Sequence, residues 1–386
     1  MKILFVNTTL FGTDGISRVL SCVSSALAEK HEVTVITFEK EKDVDLKRYN
    51  LSPKVHVLFK DAIYRKCKFR RAIHKLNQKT GILPMLNISA LFRWTYLPSH
   101  LTDAWVNFIN ENKFDVVVGV QGKGAYILGS CVDKINCKTI GWQHNSYEAY
   151  LENRGAYYWN QDYLFENYIT KLNHYVVLNE HDQERYLKTK GITTTTIYNP
   201  KSFVSKEKSQ VIAKRFIACG GLRKAKGFDL LIDSFAEFSR KDSEWVLDIY
   251  GEGEDKASLQ HKIDTLKLND RVRLQGVTKQ INIEMLKSSA LLLSSRWEGM
   301  PMIVLEALEC GLPVVGYDIT AMLPLVADGV EGRIVKAFDV YAFADAMYKV
   351  ASNIELRKQY SRNATQKALK FNVEVIVQQW EKLINS

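Results

Sequence analysis

Two glutamates stand eight positions apart, Glu298 and Glu306, in the stretch SSRWEGMPMIVLEALECGLPVV (294–315). Glu298 precedes a short loop, and Glu306 falls inside an apolar run between Leu305 and Ala307. Pro301 stands near the start of the helix that this run predicts, where a missing N–H costs little. Eight residues are roughly 800° of helix, which would bring both carboxylates near one face if the helix starts promptly. A carboxylate on an apolar helix face is costly unless something satisfies it. A pair of ligand hydroxyls would do so, and so would an ion pair with a nearby Lys or Arg.

Three other loops carry residues suited to chemistry. In CGGLRKAKGFDLL, glycines with Arg223, Lys224 and Lys226 precede a helix start. Positive side chains beside free helix N–H groups favour a phosphate, although an ordinary basic loop has the same composition. His144 follows an apolar run in GWQHNSYEAY. Taken alone, a hydrogen-bonded structural histidine accounts for it better than a reactive one. Gly12 and Gly15 in LFGTDGIS let the backbone come close to a ligand at a helix start, an anion site by its nature. Their spacing is not the dinucleotide G-x-G-x-x-G pattern, which lowers the dehydrogenase reading. The triplet Asp43-Val44-Asp45 could hold a metal, but it lies in a charged run that reads as a solvated loop.

Short apolar runs must position these loops. KILFVN, HEVTVITF, FDVVVGVQ, KTIGWQ and HYVVLN read as strands, and GISRVLSCVSSALAEK reads as a helix between the first two. Near-continuous apolar strands alternating with amphipathic helices predict a parallel, doubly wound α/β sheet. The rhythm restarts at RFIACGG, and WVLDIYGEG, RVRLQG, ALLLSS and PVVGYD follow. This predicts domains over 1–198 and 199–371. The last helix, 372–386, would pack back on the first domain. The 386 residues suit two domains. Two such domains facing each other would leave an inter-domain cleft lined by strand carboxyl ends.

Six cysteines without C-x-x-C spacing predict reduced thiols and no metal site. The N-terminal apolar run is too short for a signal-peptide core and predicts a first strand, hence a cytoplasmic protein. Net charge is +10, and residues 60–75 hold seven Lys/Arg against one Asp, followed by the aromatic run ISALFRWTYL. An anionic membrane surface, a solvated helix face and a nucleic acid are the three readings of that patch. No nucleic-acid motif accompanies it, so nucleic acid is the weakest.

These loops, in this order, resemble the retaining glycosyltransferases of the GT-B fold, in particular family 4. EGMPMIVLEALECGLPVV is similar to that family's E-x7-E signature, and KGFDLLIDSF, DIYGEGED and DRVRLQG resemble its other landmarks. The resemblance implies two facing Rossmann-like domains and a nucleotide-sugar donor, UDP-linked before others. It implies that Glu306 binds the ribose hydroxyls and Glu298 the donor sugar. It places Lys226 on the diphosphate and His144 at the donor sugar. Backbone around Met300, Met302 and Ile303 would hold sugar and diphosphate, with Gly15 in the first loop. Arg271 and Val272 would pair with the base through their backbone. The family's usual Arg after the first glycine is Gly221 here, and Arg223 stands two residues on.

The resulting expectation is a retaining hexosyltransferase in surface polysaccharide or glycan biosynthesis, at the inner face of the cell membrane. It would act on a lipid-linked saccharide acceptor, with no cofactor and no required metal. An epimerase or phosphorylase of the same fold, or an inactive nucleotide-binding scaffold at the membrane, are the alternatives.

Overall fold

The computed structural model describes residues 1–12, 14–47, 49–60, 67–86 and 88–386. Arg65 and Lys66 of the basic patch lie outside the described residues. The chain divides into two compact units, Met1–Pro200 with Val373–Ser386, and Lys201–Asn372. The division after the first α/β unit thus falls at Pro200/Lys201 rather than at 198/199.

The first unit is built on seven parallel strands. They are β1 (Lys2–Val6), β2 (Glu32–Thr37), β3 (Val55–Phe59), β4 (Val116–Val120), β5 (Lys138–Trp142), β6 (His174–Val177) and β7 (Thr195–Thr196), in the order β3-β2-β1-β4-β5-β6-β7. Strand β4, VVVGV, is buried at every position, as a central strand covered on both faces requires. The helix Gly15–Leu27 follows β1, and the Asp14 carboxylate caps it by accepting the Ser17 N–H at 2.8 Å.

The second unit repeats the design with β8 (Arg215–Cys219), β9 (Val246–Tyr250), β10 (Val272–Gly276), β11 (Ala290–Leu293), β12 (Val314–Tyr317) and β13 (Gly332–Val335). Their order is β10-β9-β8-β11-β12-β13, again all parallel. Strand order reverses between β1 and β4 in one sheet and between β8 and β11 in the other. At such a reversal the loops part, and ligands bind outside the carboxyl ends of the strands.

The helix Val373–Asn385 belongs to the first unit although the second separates it from the rest. Ile376, Val377, Trp380, Leu383 and Ile384 make one buried stripe at helical spacing. The Trp380 ring meets Trp142 edge-on at 4.7 Å and Phe5 at 6.4 Å. Lys138 Nζ donates to the Ile384 carbonyl at 2.8 Å, and Lys30 pairs with Glu381 at 3.0 Å. The apolar stripe does most of the holding, since such an exposed pair contributes under about 1 kcal/mol. Trp380→Ala should therefore destabilise the first unit by roughly 3–5 kcal/mol, measured by denaturant unfolding. A loss below about 1 kcal/mol would show that the helix is dispensable to that core.

Candidate functional site

In the second unit the functional side chains gather at the carboxyl ends of β8 and β11. The loop after β8 turns through a short 3-10 segment, Lys224–Lys226, into the helix Phe228–Ser239. Gly227 links the two at φ +64°, and a Cβ there would lie 2.1 Å from the Ser294 carbonyl oxygen. Only glycine allows this approach, which lays the 224–227 loop against the end of β11. Three contacts hold it there. Ser294 Oγ donates to the Lys226 carbonyl at 2.9 Å, and the Arg296 N–H donates to the Ala225 carbonyl at 2.8 Å. The Arg296 guanidinium grips Asp229 with two bonds of 2.8 and 2.7 Å. The Arg296 bond holds the Asp229 carboxyl below the usual carboxylate range.

So placed, Lys226 Nζ lies 2.6 Å from Glu298 Oε1, which also accepts from Ser295 Oγ at 2.6 Å. The sequence brings forward both charged residues, and the structure pairs them. Arg223 is exposed and makes no ion pair among the described residues. Its guanidinium folds back over Gly221, where an added Cβ would lie 2.9 Å from Nε.

The helix of the opening motif is Met302–Glu309, with Pro301 at its cap position and no side-chain cap. It begins four residues after Glu298. The two glutamates therefore do not share a helix face, and the expectation built on their spacing is corrected. Its first-turn N–H groups, those of Met302 and Ile303 among them, lack carbonyls four residues back. Met300 and Met302 are buried beside them. Glu306 is buried, and its Oε1 accepts from Ser202 Oγ at 2.7 Å. The Lys partners fall on Glu309 instead, which meets Lys201, Lys208 at 2.6 Å and the Ser205 N–H at 2.9 Å. Burial pushes the Glu309 carboxyl up, but Lys201 and Lys208 outweigh it and hold it below its usual range.

Arg271 and Val272, expected as base contacts, have their backbone N–H groups engaged within the chain. They sit at the amino end of β10, opposite the end where the other groups collect. Both N–H groups donate to the Leu268 carbonyl, at 2.9 and 2.8 Å, and the Arg271 carbonyl accepts from Leu247. The Arg271 side chain is spent on the carbonyls of Trp245 and Asp242. At the carboxyl end of the same strand stand Gly276 and the exposed Val277.

In the first unit His144 follows β5. Its ring packs against Trp142 at 4.3 Å, and its backbone N–H donates to Tyr150 Oη at 3.3 Å. Nε2 is buried with no hydrogen-bond partner among the described residues. Burial lowers its pKa to about 3, so the imidazole is neutral at any working pH. Gly15 opens a helix that the Asp14 carboxylate already caps, so an anion there would meet a negative charge. Asp43 and Asp45 are exposed, with Asp45 accepting from the Lys47 N–H at 3.2 Å. Among the described residues, Glu148, His181 and Asp182 form the one cluster close enough to hold a metal ion. Asp182 there already accepts from Tyr147 and Gln143, and His181 lies 3.4 Å from Glu148.

Sequence reasoning missed Ser202, Ser295 and the Arg296–Asp229 clamp. A lone serine carries no signal, while the spacing of Lys226 from the E-x7-E motif hides how the two loops meet.

Residues 202–367 match the family model described as glycosyl transferases group 1. A glycosyltransferase of Haemophilus influenzae without assigned function is 25% identical over 316 residues, 80% of this chain and 87% of that one. The poly(ribitol-phosphate) alpha-N-acetylglucosaminyltransferase of Staphylococcus aureus is 24% identical over 72% of this chain and 57% of its own. Three further relatives are matched over 20%, 48% and 49% of their own lengths. The crystal structure of S. aureus TarM with UDP, alpha-GlcNAc-glycerol and fondaparinux superposes with a TM-score of 0.79. At 16% identity, with all of both chains covered, that likeness speaks for the GT-B fold. Together these matches favour a glycosyltransferase over the epimerase, phosphorylase and scaffold alternatives.

The buried imidazole has a consequence for acid stability. Its folded pKa lies below the ordinary 6.5, so below pH 6.5 the unfolded chain gains a proton that the folded chain refuses. Stability present above pH 6.5 is therefore lost as pH falls toward 3. His144→Gln should remove this loss, and the difference from the parent should reach roughly 2 kcal/mol at pH 5. Comparing variant with parent cancels Asp182, whose carboxyl burial pushes up to about 7. Parallel pH profiles of unfolding for the two proteins would reject a buried neutral His144.

Proposed function

We propose that the chain is a retaining family 4 glycosyltransferase that takes a hexosyl group from a nucleotide-diphosphate sugar, with UDP the favoured carrier. One observation carries the reading: Lys226 and Glu298 meet where the strand order of the second unit reverses, and the helix that starts at Met302 follows Glu298 by four residues. Glu306 sits one turn further along the same helix, buried, with one oxygen on a serine hydroxyl. It would hold the ribose hydroxyls, Glu298 the sugar hydroxyls, and Lys226 the diphosphate. Glu298 holds Lys226 in place until phosphate oxygens replace it. Arg223 would reach the same phosphates from beside Gly221. Gly276–Val277, at the carboxyl end of β10, would offer backbone to the base in place of Arg271 and Val272. His144 would contact the donor sugar as a neutral imidazole.

In the reaction, the bond from the anomeric carbon to the phosphate oxygen breaks, and the acceptor oxygen bonds that carbon on the same face. The acceptor proton passes to the departing phosphate. Lys226, Arg223 and the helix start would stabilise the developing charge, each such group lowering the barrier by roughly 3–4 kcal/mol when water is excluded. These groups also remove the need for a metal ion to neutralise the diphosphate. The acceptor is a lipid-linked saccharide of a surface polysaccharide or glycan. The relative named for poly(ribitol-phosphate), and TarM's complex with alpha-GlcNAc-glycerol and UDP, support a surface-polymer acceptor and a UDP donor. An anionic membrane surface fits residues 67–94. There Phe69 (67%), Met85 (80%) and Trp94 (39%) are exposed, with Arg70 over the Trp94 ring. Among the described residues no helix is long and apolar enough to cross a membrane.

Two outcomes test the reading. By calorimetry, Glu306→Gln should weaken free UDP and UDP-sugar alike, by roughly 1.5–3 kcal/mol. Glu298→Gln should weaken the sugar nucleotide more than free UDP, and equal losses on UDP from both changes would sink the assignment. Separately, turnover should persist in excess EDTA and convert an α-linked donor into an α-linked product, read from the anomeric proton signal. A β-linked product, or activity that manganese alone restores, would reject the retaining, metal-free chemistry.

A further inference from the structure

The first unit has its own cavity at its own strand-order reversal. It holds about 430 Å³ and opens beside the carboxyl ends of β1 and β4. That volume suits one sugar or polyol unit with a substituent. The floor is polar. Asn7 is buried, and Gln121 extends toward it, Nε2 to Oδ1 at 3.4 Å. Gln121 adopts φ +64°, a left-handed conformation unusual for a residue with a side chain. Aromatic rings of Tyr96, Trp105 and Tyr158 form the walls.

The charge of the lining is one-sided. Arg70, Arg71 and His74 come from the helix Lys68–Thr80, and Lys123 comes from the helix Gln121–Gly129. No carboxylate lines the cavity among the described residues. Neither Arg70 nor Arg71 is in an ion pair among those residues, and Arg70 Nε is buried with no hydrogen-bond partner there. The Arg70 guanidinium lies over the Trp94 ring at 5.0 Å, which fixes its plane. Other arginines in the chain close on carboxylates, as Arg296 does on Asp229 and Arg333 on Asp328, or on carbonyls, as Arg357 does. Two arginines left open beside a histidine and a lysine make a receptor for an anion, and guanidinium forks match phosphate oxygens in particular. Burial lowers the Lys123 ammonium to about 8, and burial with the Lys123 charge lowers His74. An anion in the cavity would relieve both.

We infer that this cavity is the acceptor subsite and that it recognises a phosphate ester: a sugar or polyol bearing a phosphomonoester or phosphodiester, free or attached to a lipid. The inference rests on the transferase reading for the word acceptor, and on the cavity alone for the phosphate.

Binding to the full-length chain, without nucleotide, separates the two. Calorimetric titration with ribitol 5-phosphate, glycerol 3-phosphate and uncharged ribitol should give at least about tenfold tighter binding of the esters. The double change Arg70→Gln, Arg71→Gln should remove that preference, Arg70→Lys with Arg71→Lys should restore part of it, and UDP affinity should stay the same in all of them. Competition between ribitol 5-phosphate and phosphatidylcholine vesicles carrying phosphatidylglycerol identifies the source of the phosphate. Mutual displacement means that lipid phosphate enters the same cavity, and independent binding means that the cavity takes the soluble ester. Equal affinity for ribitol and ribitol 5-phosphate would overturn the inference. So would vesicle binding with no binding of the soluble esters, which would give the arginines to a lipid surface. Phosphate selectivity without any UDP binding would strike the nucleotide-sugar reading and leave this cavity standing.

Discussion

A lysine ammonium and a glutamate carboxylate 2.6 Å apart, Lys226 and Glu298, set the constraint on which the second unit is arranged. They come from two loops, at the ends of β8 and β11, and the pair exists only if those loops touch. Gly227 makes the touch possible, because any side chain there would strike the Ser294 carbonyl. Gly251 does the same between neighbouring strand ends, at φ +148° and with a would-be Cβ 1.8 Å from the Gly220 carbonyl oxygen. Arg296 then locks the loop by gripping Asp229 and the Lys224 carbonyl. The ion pair is half-buried, so its contribution to stability is modest. Its value lies in holding two charged groups ready, each satisfied by the other, at a place where a ligand with a diphosphate and hydroxyls can take both.

The same sheet order underlies both proposed sites. Both units reverse strand order between a first and a fourth strand, and both keep polar groups at the carboxyl ends there. In the second unit those groups are carboxylates, a lysine and a helix start, suited to hydroxyls and a diphosphate. In the first they are arginines, a histidine, a lysine and aromatic rings, suited to an anion on a carbohydrate-like body. The net charge of +10 is therefore only partly a solvated surface. Some of it faces a cavity.

The fold was legible where burial writes itself into the string. Runs such as VVVGV and ALLL are apolar because both faces of a central parallel strand are covered. Strands β3, β7 and β13 escaped notice. β7 is two threonines, and β13 carries Arg333 tied to Asp328, so neither shows an apolar run. Lys226, Glu298 and Glu306 stood out by residue type and motif order. What the string could not show was depth and direction. Ser202 reaches Glu306 across 104 positions, and the helix starts at Met302, too late for Glu298 to share a face with Glu306. The segment DRVRLQG marks a strand without saying which of its ends meets a ligand, and the backbone bonds at Arg271 and Val272 show only in the fold. The Arg70 and Arg71 cluster was visible as charge, but only the fold shows that part of it lines a cavity beside β1 and β4.

The central claim is that the Lys226–Glu298 pair is a binding site held closed by its own charges. A crystal structure of the full chain with a UDP-sugar tests it most directly. The account predicts that Lys226 Nζ leaves Glu298 Oε1 for a diphosphate oxygen, that Glu298 turns to the sugar hydroxyls, and that the ribose hydroxyls meet Glu306. A bound nucleotide that leaves the Lys226–Glu298 bond intact, with its ribose away from Glu306, would contradict it.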